Sequence, residues 1–84
     1  MSDMRFVNIG FGNVVNTAKI VSVVSPESAP IKRIVQMSKA ASTLIDATYG
    51  RKCKAVIITD SEYIVLSALT VETIAARMEE NDEE

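Results

Sequence analysis

The chain predicts a small α+β domain with element order ββαβββα and a mostly antiparallel sheet. Three observations carry that expectation. Lys19–Val24 and Cys53–Thr59 are dense in β-branched residues. Ser28-Ala29-Pro30 is a strong helix start, because a serine caps and a proline tolerates the first turn. Asp60-Ser61-Glu62 separates two apolar runs in the manner of a hairpin turn. At 84 residues there is room for one domain, and a chain of this size buries only about 60% of its unfolded surface, so the core is thin. No internal repeat, linker or second domain is visible. The folded domain is expected over residues 1–78.

Arg5-Phe6-Val7-Asn8-Ile9 alternates polar and apolar residues, the period of a half-buried strand, and stops at Gly10-Phe11-Gly12-Asn13. Val14-Val15 offers the beginning of a further strand, but Lys19–Val24 is the clearer one, closed by Ser25-Pro26. The helix that follows is capped by Ser28 or Ala29. It places Ile31, Ile34, Val35, Ser38, Ala41 and Ser42 on one stripe and fades near Ser42-Thr43. Lys32, Arg33, Gln36 and Lys39 fall mainly on the other side. Leu44–Thr48 reads as a strand, Tyr49–Lys52 as a glycine-centred turn, and Cys53–Thr59 with Tyr63–Ala68 as a hairpin. Thr70 caps a last helix from Val71 to about Met78. The acidic run 79–84 is expected to be a disordered tail.

The formal charge of −2 hides a segregation. From Arg5 to Ile58 eight basic residues face two acidic ones, a net of +6, whereas Thr59–Glu84 carries eight acidic residues and one basic, a net of −7. A basic body suits a partner that bears phosphates, and an ordinary solvated surface is the competing explanation. No apolar run reaches the ~20 residues that span a bilayer, and Met1–Met4 opens no signal peptide. With a single cysteine, Cys53, the chain reads as cytoplasmic.

Catalysis finds little support. The absence of histidine removes the commonest general base and metal ligand. Lys52 and Lys54 flank Cys53 and favour its thiolate, but no base accompanies it, and a structural cysteine is the plainer reading. Nothing in the sequence brings Asp46 and Asp60 together as a carboxylate pair, and scattered acidic residues make no metal site. Gly10-Phe11-Gly12 lacks the third glycine of a dinucleotide loop and reads as a turn. Ser25-Pro26-Glu27-Ser28 reads as a strand-to-helix turn rather than a phosphorylation site. No enzyme activity, cofactor, metal or small-molecule substrate is expected.

The basic residues say more. Arg51, Lys52 and Lys54 crowd a turn led by Gly50, where a projecting tip can set cations against phosphates and displace their counterions. Arginine is also the side chain shaped for bidentate bonds to guanine or phosphate. Lys19 opens another strand that can share their face, and Arg33 is a further helper. A solvated turn with no ligand is the alternative.

Several blocks in order are similar to one bacterial family. They are Asn8–Asn13, Val24–Ile34 with Pro26 and Pro30, Leu44–Arg51, Ala55–Ser61 and Val65–Ala68. Together they resemble RemA, the extracellular matrix regulatory protein A family, over nearly all of Arg5–Arg77. The resemblance implies a DNA-binding transcriptional regulator of the type that activates biofilm-matrix genes. It further implies ring-shaped homo-oligomers, double-stranded DNA as partner, nucleoid association and a fold akin to the LytTR DNA-binding domain. The family's DNA-contacting arginines fall on Lys19, Arg51 and Lys52, and Lys54 lies beside them. Two of those three are lysines here, which keeps charge for phosphate but gives up the bidentate fork. The acidic end is a second departure, set to compete with DNA for the basic face. A non-enzymatic oligomeric scaffold that docks a protein partner is the alternative function.

Overall fold

A computed structural model of the chain describes residues 5–82. β1 (Phe6–Gly10) and β2 (Asn13–Asn16) form an antiparallel hairpin in which Gly10 pairs with Asn13, leaving Phe11-Gly12 as a two-residue turn. A short 3₁₀ turn, Thr17–Lys19, is capped by Asn16, whose side-chain oxygen accepts from the Ala18 amide at 2.9 Å. It leads into β3 (Ile20–Val24), α1 (Ala29–Ala41), β4 (Leu44–Asp46), β5 (Ala55–Thr59), β6 (Ile64–Ser67) and α2 (Val71–Asp82). The second sheet has four strands in the order β3-β5-β6-β4; β5 is antiparallel to both neighbours, and β4 runs parallel to β6.

The α+β class and the mostly antiparallel pairing hold, with three differences of detail. Asn13–Asn16 is a strand of its own, so the order is βββαβββα. Its partner is the strand just before it, and the tight Phe11-Gly12 turn makes that pairing local. The four-stranded sheet is mixed, because α1 lifts the chain off the sheet and returns it at β4 in the direction of β6. Third, α2 continues four residues past Met78 to Asp82, where disorder was expected. Glu79 and Glu80 are good helix formers and extend a helix already nucleated by packed turns. The expectations for Met1–Met4 and for Glu83 and Glu84 lie outside the described residues.

Strand alternation sorts the second sheet into two faces. Ala55, Ile57, Val65 and Val23 project to one side and meet Val7 and Ile9 of the hairpin, Ala47 and Ile74 of α2. Leu69, Val71 and Met78 close this core at its margin. Val56 and Leu66 project to the other side, toward Val35 of α1. Three layers result: hairpin with α2, sheet, α1. The predicted α1 stripe is right in direction but covers less than expected. Ser38 is buried, Ile31, Ile34 and Val35 are half-buried, and Ala41 and Ser42 are exposed. The helix starts where Ser28 caps it, accepting from the Ile31 amide at 3.4 Å, and ends at Ser42 with φ 63°.

Two long-range bonds hold the layers in register. Fully buried Ser67 donates from its hydroxyl to the Ile9 carbonyl at 2.8 Å and accepts from the Leu69 amide at 3.0 Å. Arg77 of α2 donates to the Asn8 carbonyl at 3.0 Å. These contacts fix the tip of the β1–β2 hairpin over the end of β6 that adjoins the loop between β4 and β5.

Candidate nucleic-acid interface

That loop carries the sequence-predicted cations. The Asp46 carboxylate accepts from the Thr48 hydroxyl at 2.6 Å and from the Thr48 amide at 3.0 Å. The hydroxyl bond first, and the amide bond second, hold the Asp46 carboxyl below its ordinary value. Thr48 then opens a turn closed by the Arg51 amide, which donates to the Thr48 carbonyl at 2.9 Å. The loop ends where the Lys54 amide donates to the Ser67 carbonyl at 2.8 Å. Arg51 is therefore presented from a turn tied at its front by a carboxylate and downstream by the sheet.

The turn has a counterpart facing it. Tyr49-Gly50 adopts φ values of 57° and 79°, and Phe11-Gly12 at the hairpin tip adopts 55° and 79°. Left-handed backbone costs a residue with a Cβ about 1 kcal/mol or more, and the usual occupants of such turns are Asn, Asp and Gly. Here both turns carry an aromatic residue instead, and the two rings stack at 5.0 Å between centroids and 16° between planes. The Arg51 guanidinium carbon lies 5.7 Å from the Phe11 ring centroid, a cation–π contact. Stacked rings contribute about 0.5–1.5 kcal/mol beyond their area, comparable to the backbone cost of one of the turns.

The four predicted cations, Lys19, Arg51, Lys52 and Lys54, are all exposed. Among the described residues none of them forms a salt bridge. They are not one patch. Arg51 stands at the aromatic tip, while Lys52 and Lys54 line an open cleft of about 540 Å³ shared with Glu27 and Glu72, two carboxylates that weaken its positive potential. Lys19 ends the 3₁₀ turn, its carbonyl accepting from the Asp60 amide at 2.9 Å, at the opposite end of β5 from Lys54. At the rise of an extended chain that separates Lys19 and Lys54 by about 20 Å. Arg33 belongs to the outer surface of α1, in the layer opposite the hairpin.

Cys53 is half-buried, and burial pushes its thiol up despite the flanking lysines; its Sγ lies 3.3 Å from the Ala55 carbonyl. The thiolate favoured by Lys52 and Lys54 in sequence is thus opposed by desolvation in the fold. Asp46 ends β4 and Asp60 follows β5 in the turn to β6, at opposite ends of the sheet. Among the described residues no cluster of His, Cys, Asp and Glu could hold a metal, and no helix is long and apolar enough to cross a membrane.

Sequence reasoning missed Phe11 and Tyr49, treating their segments as plain turns. The available signal was an aromatic residue directly before glycine, twice, where turn chemistry favours Asn or Asp. It also missed an apolar groove of about 320 Å³ between the hairpin and the β4 edge, lined by Val14, Ile45, Ala47, Tyr63 and Val65, with Lys19 at its rim. Val14 is 58% exposed and Ile45 47% exposed, although both are strand residues.

Comparison with known proteins finds one family for the chain as a whole. The model of the RemA-like family, described as extracellular matrix regulatory protein A-like, matches residues 6–78. Similar chains each bear the name "Putative regulatory protein". One from Brevibacillus brevis is 56% identical over 96% of this chain and 94% of its own length. One from Symbiobacterium thermophilum is 57% identical over 98% of this chain and 86% of its own. One from Moorella thermoacetica is 59% identical over 90% and 84% respectively.

Proposed function

The chain belongs to the RemA-like family, and from that premise we propose that it is a DNA-binding transcriptional regulator of the biofilm-matrix activator type, working as a ring-shaped homo-oligomer. The observation that carries this reading is Arg51, exposed, free of salt bridges to the described carboxylates, and set on a loop whose both ends are fixed. A guanidinium so placed loses little freedom when it meets a phosphate or a guanine edge. Lys19, Lys52 and Lys54 add phosphate contacts that position the subunit without reading sequence. Residence with the nucleoid and a fold akin to the LytTR DNA-binding domain belong to the same proposal.

The spacing of the cations supports assembly. One subunit offers the Arg51 tip, the lysines of the cleft and a separate Lys19 about 20 Å from Lys54, too few charges to hold a duplex firmly at cellular salt. Copies in a closed ring repeat both points along the same duplex, and linked contacts raise affinity without a new kind of bond. The apolar groove beside β4 offers surface for another copy to cover, and β4 is a three-residue edge strand left unpaired on its outer side.

The test is equilibrium binding of promoter and random duplexes across a salt series. Affinity is expected to fall steeply with salt, and Arg51→Ala to bind roughly 10- to 100-fold more weakly than the parent, with a slope shallower by about one. A flat salt response, with Arg51→Ala binding like the parent, would overturn the proposal. A protein-docking scaffold is the second reading, favoured by Glu27 and Glu72 beside Lys52 and Lys54; recovery of a protein partner without nucleic acid would support it.

A further inference from the structure

Tyr49 is 76% exposed, and Phe11, on which it stacks, is 47% exposed. Rings whose task is to fill a core are buried, and this pair lies outside the core cluster formed by Val7, Ile9, Ile57 and Ile74. The backbone beneath them is equally telling. Two separate turns place an aromatic residue at a left-handed position that Asn or Gly occupies with less strain, and the fold brings those two positions face to face. One such exception is incidental. Two that meet in space, beside an exposed guanidinium, describe a surface kept for contact at the expense of turn geometry.

We propose that the Phe11–Tyr49 pair is a non-ionic contact surface for duplex DNA, laying a ring face against sugar and base edges beside the phosphate that Arg51 engages. The inference rests on the DNA-binding reading given above. Nucleic acid offers the matching chemistry at matching proximity: an anionic oxygen for the guanidinium, and a flat, weakly polar sugar or base face a few ångströms away for a ring. Stacking on Phe11 gives the exposed Tyr49 ring a preferred orientation, so less freedom is lost on contact than for an unstacked ring. In contrast to the lysines, such a contact releases no counterions, and its contribution is insensitive to salt.

That difference makes the proposal separable from the charge reading. Tyr49→Asn is the informative substitution, since asparagine accepts φ 57° more readily than tyrosine and the fold is retained. Duplex binding measured by fluorescence anisotropy over a salt series is expected to weaken about tenfold at every salt concentration, the order that aromatic contacts to nucleic acid supply. The slope against salt stays as in the parent, and midpoints of chemical denaturation stay equal or rise. Tyr49→Phe keeps parental affinity. In a Tyr63→Phe background Tyr49 is the sole tyrosine of a chain that has no tryptophan, and its emission is expected to be quenched as duplex is added. Parental binding by Tyr49→Asn, with unquenched emission, overturns this inference and leaves the DNA-binding reading intact. A slope that drops by one, as for Arg51→Ala, shows that the rings only aim the guanidinium and also overturns it. A parent protein that binds no duplex removes the DNA-binding reading itself.

Discussion

Asp46 shows how much one side chain can organise. Its carboxylate takes both the amide and the hydroxyl of Thr48, and the turn that follows sets Tyr49 and Arg51. The native carboxyl is held below its ordinary value of 3.8, so the unfolded chain binds the proton more readily than the folded one. The stability this carboxylate contributes is therefore complete above the ordinary value and is lost as pH falls through the lowered native value. Denaturant midpoints measured down an acid pH series should decline more steeply for the parent than for Asp46→Asn, in which nothing titrates at that position. The sequence reading ran the strand on to Thr48, whereas β4 stops at Asp46, whose carboxylate turns the chain; only the glycine of the turn that follows was legible. Ser67 announced nothing. Its hydroxyl serves Ile9, 58 positions away, and no local pattern marks a serine as buried when its partners are set by tertiary packing.

Among the elements, α1 was the most legible, because its ends are local chemistry. Ser28 and Pro30 specify the start, and the apolar stripe fixes which side meets the sheet. Its last linking residue, Ser42, is left-handed at φ 63°, exposed, and donates its amide to the Lys39 and Ser38 carbonyls. Glycine takes that conformation without a Cβ penalty, so Ser42→Gly should stabilise the protein by about 0.5–1 kcal/mol. Thermal unfolding would register this as a midpoint raised by roughly 2–8 °C for a domain of this size. The elements that sequence left half-seen fail for a shared reason. β2 is four residues long and owes its existence to a turn with unorthodox residues, whereas β4 is three residues long and joins β6 in parallel. Neither length nor pairing direction is written in a run of three or four apolar residues.

For the whole molecule the decisive quantity is distance between like charges. Composition showed that the first two thirds of the chain is basic, but only the fold shows Lys19 and Arg51 at opposite ends of a sheet rather than on one patch. Separated points favour multivalent engagement, and the groove lined by Val14, Ile45 and Tyr63 offers apolar surface that a second copy would cover. Ile45→Asp places a charge at that groove without entering the core. Sedimentation should show smaller species than the parent, and duplex affinity should fall by about 10-fold or more as avidity is lost; unchanged size would detach the groove from assembly.

β6 occupies an inner position of its sheet yet is the last strand in the chain, with β4 depending on it for every ladder bond and α2 following it with Ile74. A nascent polypeptide interrupted before Ile64 keeps at most its opening hairpin and the β3–β5 ladder, with the aromatic tip unsupported. Closure of the fold thus waits on its last strand: a chain that stops short of Ser67 has neither the partner for β4 nor the hydroxyl that seats the hairpin through Ile9.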